Sequence, residues 1–256
     1  NTYSATGELT VKGTKVLTGD TLADGDFSFT LTSTDDKDVG TLTASNKDDG
    51  SFAFDAIQYT YADVQYLASA AAAAHGNAYH YTVTEDNDGE DGIVYDTMPR
   101  YITVTLSDND GDGKITVNVT VTVVQGGTAT SNSNGVAELS FTNAAEGQLS
   151  VTKTVDSNVN GDTEKGFDFT VELINANVAV DGTYKTTITE AGVTTPGADL
   201  TIANGTGEFT LQHGQIITIG GIPNGTHYTV TEADYKQEGF ITAPAGAEGD
   251  IVTGVT

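Results

Sequence analysis

Three polar residues fall on the apolar side of strands that otherwise alternate cleanly. Side chains two apart along a strand share a face. In Leu9–Leu17, LTVKGTKVL, this groups Leu9, Val11, Gly13, Lys15 and Leu17 and turns Lys15 inward. By the same rule Glu85 follows Tyr81 and Val83, and Asn143 follows Leu139 and Phe141. Phe27, Phe29 and Leu31 supply apolar lining, while the competing amine of Lys12 shares the opposite face with Thr10, Thr14 and Val16. Three polar groups aimed at one core are costly unless they meet. Burial lowers an amine pKa and raises a carboxyl pKa, so Lys15 becomes a neutral nucleophile and Glu85 a proton donor. Protonated Glu85, hydrogen-bonded to the Asn143 side-chain carbonyl, would make its carbon more electrophilic. Attack with loss of ammonia would then join the two strands by an amide, once per molecule. A buried Lys–Glu ion pair with Asn143 nearby, or a register that leaves Lys15 exposed, fits the same alternation.

The elements that must carry these residues are strands. The 256 residues are rich in Thr, Val, Gly and Asp, with 11 Tyr, 9 Phe, 4 Pro and no Trp. This composition suits half-buried pleated surfaces cut by turns such as Asp49-Gly50 and Asn224-Gly225. No window offers a long amphipathic helix. The strand programme occurs twice: LTVKGTKVL, FSFTLTS and YHYTVTED in the first half, LSVTKTV, FDFTVEL and THYTVTEAD in the second. Two copies predict two domains of one fold, residues 1–145 and 146–256, joined at Ala144–Gly147 by a linker short enough to stack them end to end. Tyr66–His75, YLASAAAAAH, departs from the pattern and reads as a short surface helix or crossover, or as a partner-binding insertion.

Charge and composition exclude several functions. With 36 acidic and 10 basic residues the net charge is −26, which repels nucleic acid and anionic membranes. There is no cysteine, so an exported protein of this kind takes its rigidity from something other than disulfides. No apolar run is long enough to span a membrane, and no signal peptide is visible. Asp108, Asp110 and Asp112 resemble the start of a calcium loop, yet the position for its closing Glu is Val119, so a hairpin turn is the alternative to a Ca2+ site. Glu85–Gly92 and Asp156–Asp162 repeat that pattern less completely. His75, His80, His213 and His227 have no metal-ligand spacing, and no catalytic triad or phosphate-binding loop can be assembled. The chain reads as a non-enzyme with no cofactor.

The Lys-bearing strand before FSFTL, YHYTVTE, GIVYDTMPRYITVTL at Gly92–Leu106 and LSFTN ending at Asn143 resemble the streptococcal T-antigen-type major pilins and their backbone-pilin relatives. The second half matches through LSVTKTV, GFDFTVEL and the run from Phe209 to Phe240. The resemblance implies two immunoglobulin-like β-sandwiches, each with a Lys–Asn isopeptide bond and a catalytic Glu. It assigns Lys15 as donor, Asn143 as acceptor and Glu85 as catalyst in the first domain. In the second it assigns Lys153 as donor and Glu232 as catalyst, but the chain ends at Thr256 after DIVTGVT without an FTN-like acceptor strand. That strand would come from further sequence or from a neighbouring subunit. A sortase-linked lysine expected in Val121–Gly135 is absent, with Gln125 near its place, and so is a sorting motif. The implied role is a subunit of an extracellular, cell-surface pilus assembled from copies of itself or other pilins. The alternative is a stalk module of a larger adhesin.

Overall fold

Alternating apolar and polar residues leave each strand with one face to bury, and pairs of sheets bury these faces against each other. The computed structural model describes residues 3–34, 37, 39–90, 92–123, 128–243 and 246–251. The chain is all-β, and its two compact units are Asn1–Glu90 with Tyr95–Asn143, and Asp91–Val94 with Ala144–Thr256. Among the described residues no helix is long and apolar enough to cross a membrane.

In the first unit one sheet is fully antiparallel, in the order Ala129–Asn132, Thr116–Thr122, Arg100–Ser107, Tyr79–Glu85, Ser28–Ser33, Thr41–Ser45. The facing sheet centres on Thr6–Thr18, which is flanked by Val136–Thr152 on one side and by Ser51–Ala53 and Ile57–Thr60 on the other. Thr10 N donates to Gly135 O, and Thr18 Oγ1 to Asn143 O. Residue numbers therefore rise together along the first and last strands of the unit, which run parallel. The layers meet through a stacked Phe29–Phe52 pair with centroids 4.0 Å apart, through Phe29 against Phe141, and through a Tyr59–Tyr81 hydroxyl contact of 2.8 Å. This two-layer arrangement is the immunoglobulin-like sandwich.

The crossover between Ile57–Thr60 and Tyr79–Glu85 holds the helical segment, but not over the alanine run. The helix is Tyr61–Leu67, started by a capping box in which Thr60 and Asp63 satisfy each other's main-chain donors. The alanines form a single 3-10 turn, Ala72–His75, ended by Gly76 in the left-handed conformation. A cap decides where a helix starts more sharply than composition does.

The second unit has a sheet with Phe167–Asn175 between His227–Glu232 and Thr206–Leu211, and Gly246–Asp250 beyond His227–Glu232. Its facing sheet pairs Glu146–Thr152 with Ile216–Pro223, which in turn pairs with Thr186–Glu190. Residues 93–94 pair with Ala145 and Ala144 and so belong here. Leu149, Ile217 and Ile219 pack against Val171, Leu173, Leu211 and Val230 to form the core.

Candidate cross-linking sites

The first strand is buried at Leu9, Val11 and Lys15 and exposed at Lys12, whose amine meets Glu138 at the surface. Two glycines let the strand approach its neighbours closely. A Cβ on Gly13 would lie 2.4 Å from the Phe52 ring and 2.7 Å from Leu139 O. Gly50, at φ +82° in the predicted Asp49-Gly50 turn, accepts from Lys15 N at 2.7 Å, and a Cβ there would sit 2.3 Å from Lys15 O. The lysine main chain is pinned to that turn while its side chain crosses the core.

Lys15, Glu85 and Asn143 come together. Lys15 Nζ donates to Glu85 Oε1 at 2.8 Å and to Oε2 at 2.7 Å, with both side chains almost fully buried (0% and 1% exposed). Asn143, itself 1% exposed, donates through Nδ2 to Glu85 Oε1 at 2.5 Å. The Lys15 ammonium also lies over the Phe27 ring, 4.4 Å from its centroid. Burial pushes the Lys15 amine below the ordinary value of 10.5, against the opposing pull of Glu85.

One contact differs from the sequence expectation. Glu85 faces the Asn143 amide nitrogen, not the carbonyl. The carbonyl oxygen, Oδ1, instead accepts from the main-chain N–H of Asp96 at 2.8 Å. A main-chain N–H can only donate, so this contact identifies which side-chain atom is the oxygen. Around it lies a second buried ion pair that the sequence reading did not single out. Arg100, 6% exposed, donates through Nη2 to Asp96 Oδ2 at 2.6 Å, and its guanidinium lies 4.2 Å over the Phe141 ring. Alternation carried the signal: Arg100 shares a face with buried Ile102 and Val104.

The second unit repeats the donor and the acid. Lys153 Nζ donates to Glu232 Oε1 at 2.6 Å, with side chains 12% and 8% exposed, and lies 4.1 Å over Phe167. Register is shared as well: Glu85 pairs with Phe29, and Glu232 with Phe169. Beside this pair the second unit has a groove of about 1010 Å³, lined by Val151, Lys153, Phe167, Phe169, Glu232 and Phe240 among others. Among the described residues no Asn or Asp side chain is hydrogen-bonded to Lys153 or Glu232 there. Residues 252–256 and Gln125 lie outside the described residues.

The other candidates have local roles. The carboxylates of Asp108, Asp110 and Asp112 lie within 4.8 Å of one another. Each accepts from a main-chain N–H of its own turn, at Gly111, Asp112 and Lys114 respectively. Val119, in the place of a closing Glu, is buried in a strand.

Residues 11–146 match the family described as Spy0128-like isopeptide containing domain, and residues 147–256 match a domain family of unknown function. The pilus tip adhesin Cpa of Streptococcus pyogenes is 31% identical over 93 residues, which is 35% of this chain and 12% of that protein. The chain thus spans a small part of that relative's length. Among solved structures, the major pilin from Streptococcus pyogenes is 21% identical, covering 96% of this chain and 94% of that one at a TM-score of 0.38. The pilus-presented adhesin Spy0125 (Cpa) is 13% identical over 96% of each chain at the same TM-score. The first of the two family matches covers more than half of the sequence, and the chain belongs to the family of Spy0128-like isopeptide containing domains.

Proposed function

We propose that the chain is a structural subunit of an extracellular, cell-surface filament, with modules at residues 1–145 and 146–256, the first locked by an amide between Lys15 and Asn143. One observation carries this reading: a buried amine, carboxyl and carboxamide converge where nothing but reaction or mutual pairing repays their burial. Lys15 passes a proton to Glu85 and adds to the Asn143 carbonyl carbon. Glu85, already against the amide nitrogen, protonates it as it departs as ammonia and then takes the remaining surplus proton from the Lys15 nitrogen, which leaves a neutral amide. The product is one Lys–Asn amide and one ammonia per chain, so this is maturation without turnover.

In the second module, Lys153 and Glu232 line a groove that would suit a strand carrying a carboxamide or carboxyl acceptor. The partners are other copies of the chain or related pilins. The negative charge argues against nucleic acid. The 31% identity with a pilus tip adhesin favours a second reading, in which these modules are spacers in a larger adhesin.

Intact-mass measurement tests the bond. The wild-type chain should be lighter than its sequence by one ammonia, and Lys15→Ala, Glu85→Ala or Asn143→Ala should restore the full mass. Closing a loop of over 100 residues stabilises by about 4–5 kcal/mol on the model used for disulfides, so each variant should also unfold at lower denaturant. A wild-type chain of full sequence mass overturns the reading.

A further inference from the structure

We propose that the main-chain amide of Asp96, held in place by the Asp96–Arg100 pair, stabilises the oxyanion formed on Asn143 during cross-linking; this rests on the reading of Lys15, Glu85 and Asn143 given above. The N–H of Asp96 already points at the atom on which charge develops, 2.8 Å from Asn143 Oδ1. When Lys15 Nζ adds, the Nζ–Cγ bond forms and the carbonyl electron pair moves onto Oδ1, against that N–H. When the carbonyl re-forms, the Cγ–Nδ2 bond breaks, the proton held by Glu85 goes to Nδ2 so that ammonia leaves, and the Glu85 carboxylate takes the surplus proton from Nζ to leave a neutral amide. Glu85 serves the two nitrogens, and Asp96 N–H serves the oxygen. A preorganised donor in a dry site needs no rearrangement at that moment.

The hold on this amide is unusually complete for a residue outside a strand. Asp96 Oδ2 accepts from Arg100 Nη2 at 2.6 Å and from Thr142 N at 3.1 Å, and Oδ1 accepts from Met98 N at 3.1 Å and Arg100 Nη1 at 3.4 Å. Arg100 Nε donates to Ser140 O at 3.0 Å, and its Nη groups contact Ser140 O and Met98 O more closely still. Carboxylate and guanidinium therefore tie the 96–98 segment to the main chain of residues 140 and 142, on either side of Phe141 and directly before Asn143. Burial pushes the Asp96 carboxyl up, but Arg100 and the two main-chain donors outweigh it and hold the acid below its ordinary value. It stays ionised, and the clamp stays shut, across the range in which the amine reacts. Asp96 N–H touches the reacting group; Arg100 is a positioning residue.

The experiment is a time course of ammonia loss by intact mass, after refolding the full chain from denaturant. One chain carries the α-hydroxy analogue of aspartate at position 96, which replaces the N–H by an ester oxygen; a second carries Asp96→Asn. The ester chain should cross-link roughly 10²–10³-fold more slowly, the loss typical of one oxyanion donor, and Asp96→Asn by a smaller factor. The pH profile of the rate should keep its wild-type midpoints in the ester chain, which retains the Asp96 charge that acts on Lys15; displaced midpoints there would mean a general disturbance of the site and overturn the assignment. Wild-type rates in both chains would also overturn it. Failure of the wild-type chain to lose ammonia would instead refute the cross-link itself.

Discussion

At the scale of single residues, the site turns on one amine placed where water cannot reach it. Lys15 is held near Glu85 but is pushed toward its neutral form by burial, and a neutral amine is what nucleophilic attack requires. In an Asn143→Ala chain, which has no acceptor, the same lysine persists unreacted. Its NMR titration midpoint should lie below 10.5, and a midpoint at or above 10.5 would contradict the site. The unfolded chain keeps this proton up to about 10.5, whereas the native unlinked chain releases it earlier. Between those two values the unfolded state binds more protons, so the contribution of Lys15 to stability rises with pH across that window.

At the scale of elements, the close approach of the first and last strands decides whether the groups can react. Gly13→Ala inserts a methyl between the Phe52 ring and Leu139 O, and a main-chain oxygen yields only if the strands separate. We expect a loss of about 1–3 kcal/mol by denaturant unfolding and slower ammonia loss by intact mass; unchanged values for both would show that the strands are less tightly apposed. Much of this was legible beforehand. Period-two alternation marks inward residues without any knowledge of pairing, and it singled out Lys15, Glu85 and Asn143, all of which the structure buries together. The same rule applied to RYITV would have flagged Arg100. Asp96 could not be found in this way, because its contribution is a main-chain donor with no side-chain signature, and the acceptor it serves, Asn143, lies over forty residues along the chain. Tyr66–His75 is the crossover its sequence suggests, but alanine content alone does not place the helix, which the Thr60–Asp63 cap starts at Tyr61.

At the scale of the molecule, the parallel course of the first and last strands sets how the first unit bears load. Pulling on its two ends shears those strands along each other, and the proposed bond at residues 15 and 143 would then take the tension. Single-molecule stretching should show no extension from the segment between them in the wild-type chain. Asn143→Ala should release roughly 130 residues, on the order of 400 Å of contour. Equal extension in both chains would refute the tie.

The meeting of Lys15 with Asn143 also matters when the chain is cut. With the proposed amide in place, every loop between them, including the crossover of Tyr61–Leu67 and the acidic turn at Asp108–Asp112, would lie inside a closed ring. A protease that nicks one of these loops would then open the ring but leave residue 6 covalently connected to residue 144. Such damage would be survivable, and a fibre made of units linked in this way would be severed only by a cut outside the rings.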